Sequence, residues 1–167
     1  EIATMLEKSF SRRKIELRIG WKVAGLKHTN GAVTVSISKD NQLDELEADT
    51  VLMAVGRGGN VEGLGLEEVG ITVERGFIPA DEFQRTNVPH IYAIGDVCGP
   101  PLLAHAATAE GVVAAEHLAG HEPTPVDKGS MPGCVYCHPQ VATLGLSEEN
   151  AVAAGYDVNV GRCPFKA

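Results

Sequence analysis

Gly95-Asp96 closes the short apolar run Ile91-Tyr92-Ala93-Ile94, and an Ala-rich helical pattern opens soon after it at Leu102. An acidic side chain at the carboxyl end of a strand, with a helix amino terminus aimed at the same point, outlines the ligand corner of an open α/β sheet. The carboxylate can accept hydrogen bonds from ribose-like hydroxyls, and the unpaired N–H groups of the helix attract anions. Gly-Asp is also a common turn pair, but a helix start so close behind it favours the ligand reading. His105 falls in the first turn of that helix, among small apolar residues. Such a histidine is satisfied by packing more often than it is functional, and its place beside the strand end keeps both readings open.

The sharpest local motif is Cys134-Val135-Tyr136-Cys137-His138, the C-x-x-C-H spacing of covalent haem attachment. Haem attachment needs an oxidising compartment and an apolar helical shell, whereas no export signal is legible and Val-Tyr leads into a strand. A redox C-x-x-C needs one thiol at a helix amino terminus to lower its pKa, and Pro139 with β-branched neighbours places no helix there. Zinc held by Cys134, Cys137, His138 and the distant Cys163 would rest on one C-x-x-C without its partner pair. The plainer reading is two half-buried thiols at the start of a strand, with a haem or metal protein as the second reading and a non-catalytic interaction piece as the third. There is no Ser/His/Asp arrangement, no H-x-x-x-H, no P-loop and no complete G-x-G-x-x-G. Gly56-Arg57-Gly58-Gly59 comes nearest and lacks the third glycine and the helix.

The elements that must carry these residues read as follows. Residues 2–10 form an amphipathic helix on Ile2, Met5, Leu6 and Phe10. Residues 15–19 alternate apolar and polar like a half-buried strand, and residues 21–27 continue extended. Asn30-Gly31 is a type I′ hairpin signal, and residues 33–38 pair back across it. Asp40-Asn41 turns into a third strand over 43–48, completing an antiparallel meander. Residues 50–55 are continuously apolar, the pattern of a strand buried on both faces. That run ends in Gly56, which is either a plain turn or a point where a ligand or backbone comes close. Residues 64–69 read as a helical turn, and 71–79 as extended structure reversing at Arg75-Gly76. The helix after Asp96 spans about 102–119, with Gly120 placed to stop it. Ala107, Gly111 and Ala115 form a stripe of small residues on it, read as packing. Residues 140–144, 147–154 and 156–162 read as strand, helix and strand, with Ser147 as the helix cap. Gly58-Gly59-Asn60 and Pro123-Thr124-Pro125 are the joints.

The chain of 167 residues has 44% hydrophobic content and a formal charge of −8. Those values describe a globular protein and argue against nucleic acid, which demands clustered cations. No stretch has the apolar length of a membrane span. Four cysteines are too few for a disulfide scaffold, so a reducing, cytoplasmic setting is the default expectation. Glu1 opens directly into a helical pattern without a cap, and Ala167 follows Pro-Phe without a polar tail. The chain therefore reads as an internal piece of a longer protein.

Several blocks together resemble one family. Val55-Gly56-Arg57, Leu64-Gly65-Leu66-Glu67 and Ile91 to Asp96, in that order, resemble the flavin-dependent pyridine nucleotide–disulfide oxidoreductases. Leu103-Ala104-His105 running to Glu110-Gly111, and Tyr136, His138-Pro139 and Gly145-Leu146-Ser147-Glu148-Glu149, are similar to the dihydrolipoamide dehydrogenases among them. The resemblance implies an α/β fold of partial FAD/NAD(P)-binding Rossmann-like domains with an antiparallel β-meander, plus the start of an α+β dimerisation domain. It divides the chain into 1–57, the carboxyl-terminal part of the NAD domain, 58–126, the returning segment of the FAD domain, and 127–167, the first part of the dimerisation domain. It implies that Asp96 accepts from the ribityl hydroxyls of FAD, that Leu102, Leu103, Ala104 and His105 surround the isoalloxazine, and that Val23 and Gly56 line the NAD site. It also implies a homodimer whose substrate is a dihydrolipoyl group on the lipoyl domain of a 2-oxo acid dehydrogenase or glycine cleavage complex. The family's redox cysteine pair, its dinucleotide fingerprints and its catalytic His-Glu pair fall outside these residues. The resemblance thus assigns no catalytic and no metal-binding residue to this chain, and implies no turnover by it alone. Cys134 and Cys137 replace an aliphatic residue and a threonine of the family pattern, and Ala107 stands where a lysine is usual.

Overall fold

A computed structural model of the chain describes residues 2–29 and 31–165. The chain divides into two compact units, Glu1–Gly56 with Tyr136–Val141, and Arg57–Val135 with Ala142–Ala167.

In the first unit the periodicity of residues 2–10 becomes helix α1 (Ile2–Arg12). It closes on Lys14, which takes a positive φ of 61°. That turn lets the N–H groups of Lys14 and Ile15 reach the carbonyls of Ser11 and Phe10, both at 3.0 Å. The strand expected over 15–19 does not form, and Ile15, Leu17 and Ile19 stay exposed. Alternation makes a strand only where a neighbour takes its ladder, and the ladder of this unit begins at Lys22. The meander is as expected: β1 (Lys22–Thr29), β2 (Ala32–Lys39) and β3 (Gln42–Ala48) pair antiparallel in sequence order. Asn30 of the anticipated hairpin turn lies outside the described residues. Asp40 and Asn41 both have positive φ, 46° and 65°, as a type I′ turn requires. A bulge between Val23 and Gly25 shifts the β1–β2 register, and Ile37 is the buried hydrophobic residue of the sheet. Residues 50–55 form no strand, and Leu52 and Val55 are 87% and 82% exposed. A run apolar on both faces becomes a strand only between two neighbours, and none pairs with it among the described residues.

The second unit begins with tight turns in place of the helical turn expected over 64–69. Gly63, Gly65 and Gly70 all take positive φ, which stops a right-handed helix from propagating. The reversal at Arg75-Gly76 is present, both residues having positive φ, with Glu74 and Phe77 bridged across it. Residues 91–94 make a single bridge, Arg85 to Tyr92, in place of the expected strand. Their ends are fixed instead by Thr86 N–H to the Ile91 carbonyl and Ala93 N–H to the Gln84 carbonyl, both 3.0 Å. Ile71, Ile78 and Ala93 form the core here, with Leu66, Val97 and Cys98 packed against it.

Helix α2 (Ala104–Leu118) starts slightly later than the pattern suggests, with Leu103 extended at its N-cap. Gly120 ends it at φ 83°, where the N–H groups of Gly120 and His121 return to the carbonyls of His117 and Glu116 in a Schellman motif. Near that end Tyr92 Oη and His117 Nδ1 are 2.7 Å apart, and the Phe83 ring stacks on His117 at 4.8 Å. The buried face of α2 is Ala106, Glu110, Val113 and Ala114. Two members of the small-residue stripe pack as expected, since a Cβ on Gly95 would lie 3.2 Å from Ala107 Cβ and one on Gly111 would lie 3.3 Å from Ile94 Cδ1, while Ala115 is exposed.

Further along, β4 (Gly133–Val135) and β5 (Val141–Thr143) form a two-stranded sheet. Helix α3 (Glu148–Ala153) follows, its N-cap Ser147 accepting from the Asn150 N–H as anticipated. The strand expected over 156–162 does not form, and no ladder partner pairs with it among the described residues.

Gly95 and Gly120 both have positive φ, but a Cβ on Gly120 would meet nothing within 4 Å. Gly120→Ala is expected to lose only the left-handed penalty, about 1–2 kcal/mol. Gly95→Ala adds the clash with Ala107 and loses about 1–3 kcal/mol more. Thermal or urea unfolding checks this, and Ala107→Gly should return the difference in the Gly95→Ala background but not in the Gly120→Ala one.

Candidate functional site

Asp96 sits in a 3₁₀ turn, Gly95–Cys98, that leads towards the start of α2. With Arg57, Gly58, Gly59, Asn60 and Val97 it lines an open cleft of ≈ 450 Å³. Gly59 is required there, because a Cβ would lie 2.6 Å from the Gly76 carbonyl oxygen. Arg57 Nη1 approaches Asp96 Oδ2 at 3.5 Å, with both side chains well exposed. An exposed pair at that distance contributes little to stability. The Asp96 carboxylate lines the cleft and keeps lone pairs for a hydroxylated ligand.

The turn is held from behind by Glu110, which is 2% exposed. Its Oε2 accepts the Gly95 N–H at 2.7 Å, and its Oε1 meets Lys128 Nζ at 2.9 Å. Lys128 is presented by a short 3₁₀ turn, Lys128–Ser130, whose N-cap Asp127 accepts from the Gly129 N–H. The Ser130 hydroxyl, followed by the Gly129 N–H, holds the Asp127 carboxyl below its ordinary range. Cys98, at the end of the Asp96 turn, is half-buried; burial first, and then the Glu110 charge, push its thiol up to about 11.

Of the residues singled out in the sequence, Asp96, Leu102, Leu103, Ala104 and His105 share this corner of the second unit. Leu102 and Leu103 are half-buried and Ala104 is exposed. No side chain caps α2, so the N–H groups of its first turn have no side-chain acceptor at the N-cap. His105 Nε2 lies 2.9 Å from the Pro132 carbonyl oxygen. A carbonyl only accepts, so Nε2 carries the proton and the ring is tethered to the chain entering β4. Val23 and Gly56 lie in the first unit, both exposed, Val23 on β1 and Gly56 at φ 127°.

Sequence reasoning did not single out Glu110, Lys128 or Arg57 as site residues. Glu110 was findable: it lies four residues after Ala106 and four before Ala114, on the stripe that faces inward. Arg57 follows Gly56 and carried no local signal of its own. Cys134 is exposed in β4, while Cys137 is half-buried with its thiol donating to the Pro139 carbonyl at 3.0 Å. Among the described residues no group of three or more His, Cys, Asp or Glu side chains gathers to hold a metal. None of the described helices is long and apolar enough to cross a membrane.

Residues 1–111 match the family described as pyridine nucleotide-disulphide oxidoreductase, and residues 131–167 match the dimerisation domain of the same family. The chain belongs to the pyridine nucleotide-disulphide oxidoreductases. It is similar over its whole length to dihydrolipoyl dehydrogenases, 44% identical to that of Rhizobium etli and 45% to that of Mycobacterium leprae. It spans 35% and 36% of those proteins, about a third of their length. Among solved structures, the crystal structure of LpdA from Mycobacterium tuberculosis superposes with a TM-score of 0.83 at 31% identity, covering 91% of this chain and 33% of that one. The fold is α/β with an antiparallel meander, in agreement with that neighbour.

The thiolate is the reactive form of cysteine, and the raised pKa keeps Cys98 protonated at pH 8. Alkylation followed by peptide mass spectrometry should label exposed Cys134 and Cys163 well before Cys98. A folded-state pKa above the ordinary thiol value of 9.0 also means stability is lost as pH rises from 9.0 towards about 11. Unfolding midpoints should fall more steeply through that window in the wild type than in Cys98→Ala.

Proposed function

We propose that this chain forms part of a dihydrolipoyl dehydrogenase, supplying one wall of its FAD site and part of its NAD site. The whole protein would oxidise the dihydrolipoyl group of a lipoyl domain in a 2-oxo acid dehydrogenase or glycine cleavage complex and pass the electrons to NAD⁺. On this reading residues 1–57 complete an NAD domain, 58–126 an FAD domain, and 127–167 begin the dimerisation domain of a cytoplasmic homodimer. The observation that carries it is the half-exposed Asp96 carboxylate in an open cleft, on the turn leading to a helix whose amino terminus has no side-chain cap.

These residues suit FAD, which when bound supplies the electron relay between a dithiol and the nicotinamide. Asp96 accepts hydrogen bonds from ribityl hydroxyls, a role its free lone pairs allow. The segment Leu102, Leu103, Ala104 and His105 borders the isoalloxazine, with its half-buried leucines excluding water. The amino-terminal end of α2 favours negative charge placed against it by about 0.3–1 kcal/mol, more where solvent is excluded. His105 presents a ring fixed by Pro132, donating from Nε2. Val23 and Gly56 border the nicotinamide cofactor on the first unit. None of these groups is a catalytic thiol or base, so the chain binds and orients but does not by itself exchange electrons with a dithiol.

Flavin fluorescence titration of the purified chain tests the binding role. Asp96→Ala should weaken FAD binding about tenfold or more, the worth of one charged hydrogen bond. Incubation of the chain with FAD, NADH and lipoamide should give no turnover. Equal FAD affinity in Asp96→Ala, or sustained turnover by the chain, would overturn the assignment.

A further inference from the structure

Glu110 is an ionisable side chain set into a helix face otherwise made of Ala106, Val113 and Ala114. Both of its oxygens are engaged, one by the Gly95 N–H and the other by Lys128. Buried polar groups of this kind survive only when satisfied, and here one of the two partners is the backbone amide immediately before Asp96. The other comes from a separate segment, residues 127–130, ordered by its own Asp127 cap. Two tethers thus run from α2 to the stretch 128–132, one through Glu110 to Lys128 and one through His105 to Pro132. A Cβ on Gly95 would crowd Ala107 at 3.2 Å, so the position of Gly95 is set by α2 on two sides, by contact and by hydrogen bond.

We propose that Glu110, neutralised by Lys128, is the positioning residue of the Gly95-Asp96 turn and sets cofactor affinity by fixing where the Asp96 carboxylate points. The proposal rests on the reading of Asp96 as a cofactor ligand. Glu110 touches no ligand and acts only through the Gly95 amide. Lys128 makes the arrangement affordable in a dry site by supplying the counter-charge from outside the helix. The cofactor corner is thereby linked to the segment immediately ahead of the residues that match the dimerisation domain.

The test reads the turn and the ligand separately, in the full chain. A scalar coupling across the hydrogen bond from Gly95 N–H to the Glu110 carboxyl carbon should appear in wild-type NMR spectra, and its absence would overturn the proposal without any variant. In Glu110→Leu the Gly95 amide should exchange at least tenfold faster with solvent, while the Val113 and Ala114 amides keep their protection. Unchanged exchange at Gly95, or equal loss along the helix, would overturn it, the latter by showing a merely structural role. Glu110→Gln retains an acceptor and should restore Gly95 protection. FAD affinity should fall about tenfold in Glu110→Leu and should fall no further when that change is added to Asp96→Ala, as expected for a residue acting through another. Additive losses would overturn the proposal. If Asp96→Ala leaves FAD affinity unchanged, the cofactor reading fails and the link to affinity fails with it, while coupling and exchange still decide whether Glu110 holds the turn.

Discussion

A carboxylate removed from water is the constraint on which the second unit depends. Taking an ion into a poorly solvated site costs several kcal/mol even after relaxation, and leaving it unpaired costs about 3–5 kcal/mol. Glu110 escapes that penalty because its two oxygens are divided between a backbone amide and a lysine, at 2.7 and 2.9 Å. An apolar residue of similar volume would avoid the desolvation altogether. What it could not do is give the Gly95 N–H a partner, and a buried amide without one costs about 1–3 kcal/mol. The carboxylate is therefore explained by the turn it holds, and the lysine by the carboxylate.

The same turn depends on the absence of side chains. Gly95 and Gly111 let the 94–97 segment lie against α2 at distances that a Cβ would crowd, and Gly59 lets its loop come within a distance of the Gly76 carbonyl that a Cβ would forbid. Close approach without side chains brings little hydrophobic gain, and the core beside it is small, Ile71, Ile78 and Ala93. Aromatic and polar clamps supplement it. Tyr92 and Phe83 engage His117 near the far end of α2, and Asp81 accepts from the N–H groups of Phe83 and Arg85 and from the Arg85 guanidinium. Burial pushes the Asp81 carboxyl up, but these donors outweigh it and hold it below its ordinary value. The site is thus kept in shape by specific polar contacts spaced along the helix more than by packed volume.

Local chemistry was legible in the sequence at several tight turns and helix ends. The reversals at Asp40-Asn41 and Arg75-Gly76, the Ser147 cap and the Gly120 stop each follow from one or two residues and their neighbours, and each is present. The helix beyond Asp96 was legible for the same reason, as a helical period with a glycine stop. What failed were segments whose structure needs a distant neighbour, together with residues 64–69, where glycines at positive φ make tight turns in place of the expected helical turn. Residues 15–19, 50–55 and 156–162 have strand patterns but no ladder, because a strand is defined by its partner and not by its own alternation. The run 91–94 lies between these cases, anchored by one bridge and two backbone hydrogen bonds. The burial of Glu110 could have been read from its spacing with Ala106 and Ala114, but its partners could not, since it joins an amide fifteen positions back to a lysine eighteen ahead.

The unpaired strands and the small core have a common physical cause. Val51, Leu52, Met53 and Val55 form a run that is apolar on both faces, and all four are exposed. Such a sequence reads as the inside of a parallel sheet, where both faces are covered and both edges are paired. Exposed, the same residues gain no transfer free energy, roughly 1.5–3 kcal/mol for each large side chain fully buried, and their backbone groups offer an open edge for pairing. By contrast, the Gly95-Asp96 turn makes its hydrogen bonds within one unit and requires nothing from outside it. The geometry of the Gly95-Asp96 turn is accordingly separable from the state of the apolar run: the turn is specified by α2, Glu110 and Lys128, whereas residues 50–55 have no ladder partner among the described residues.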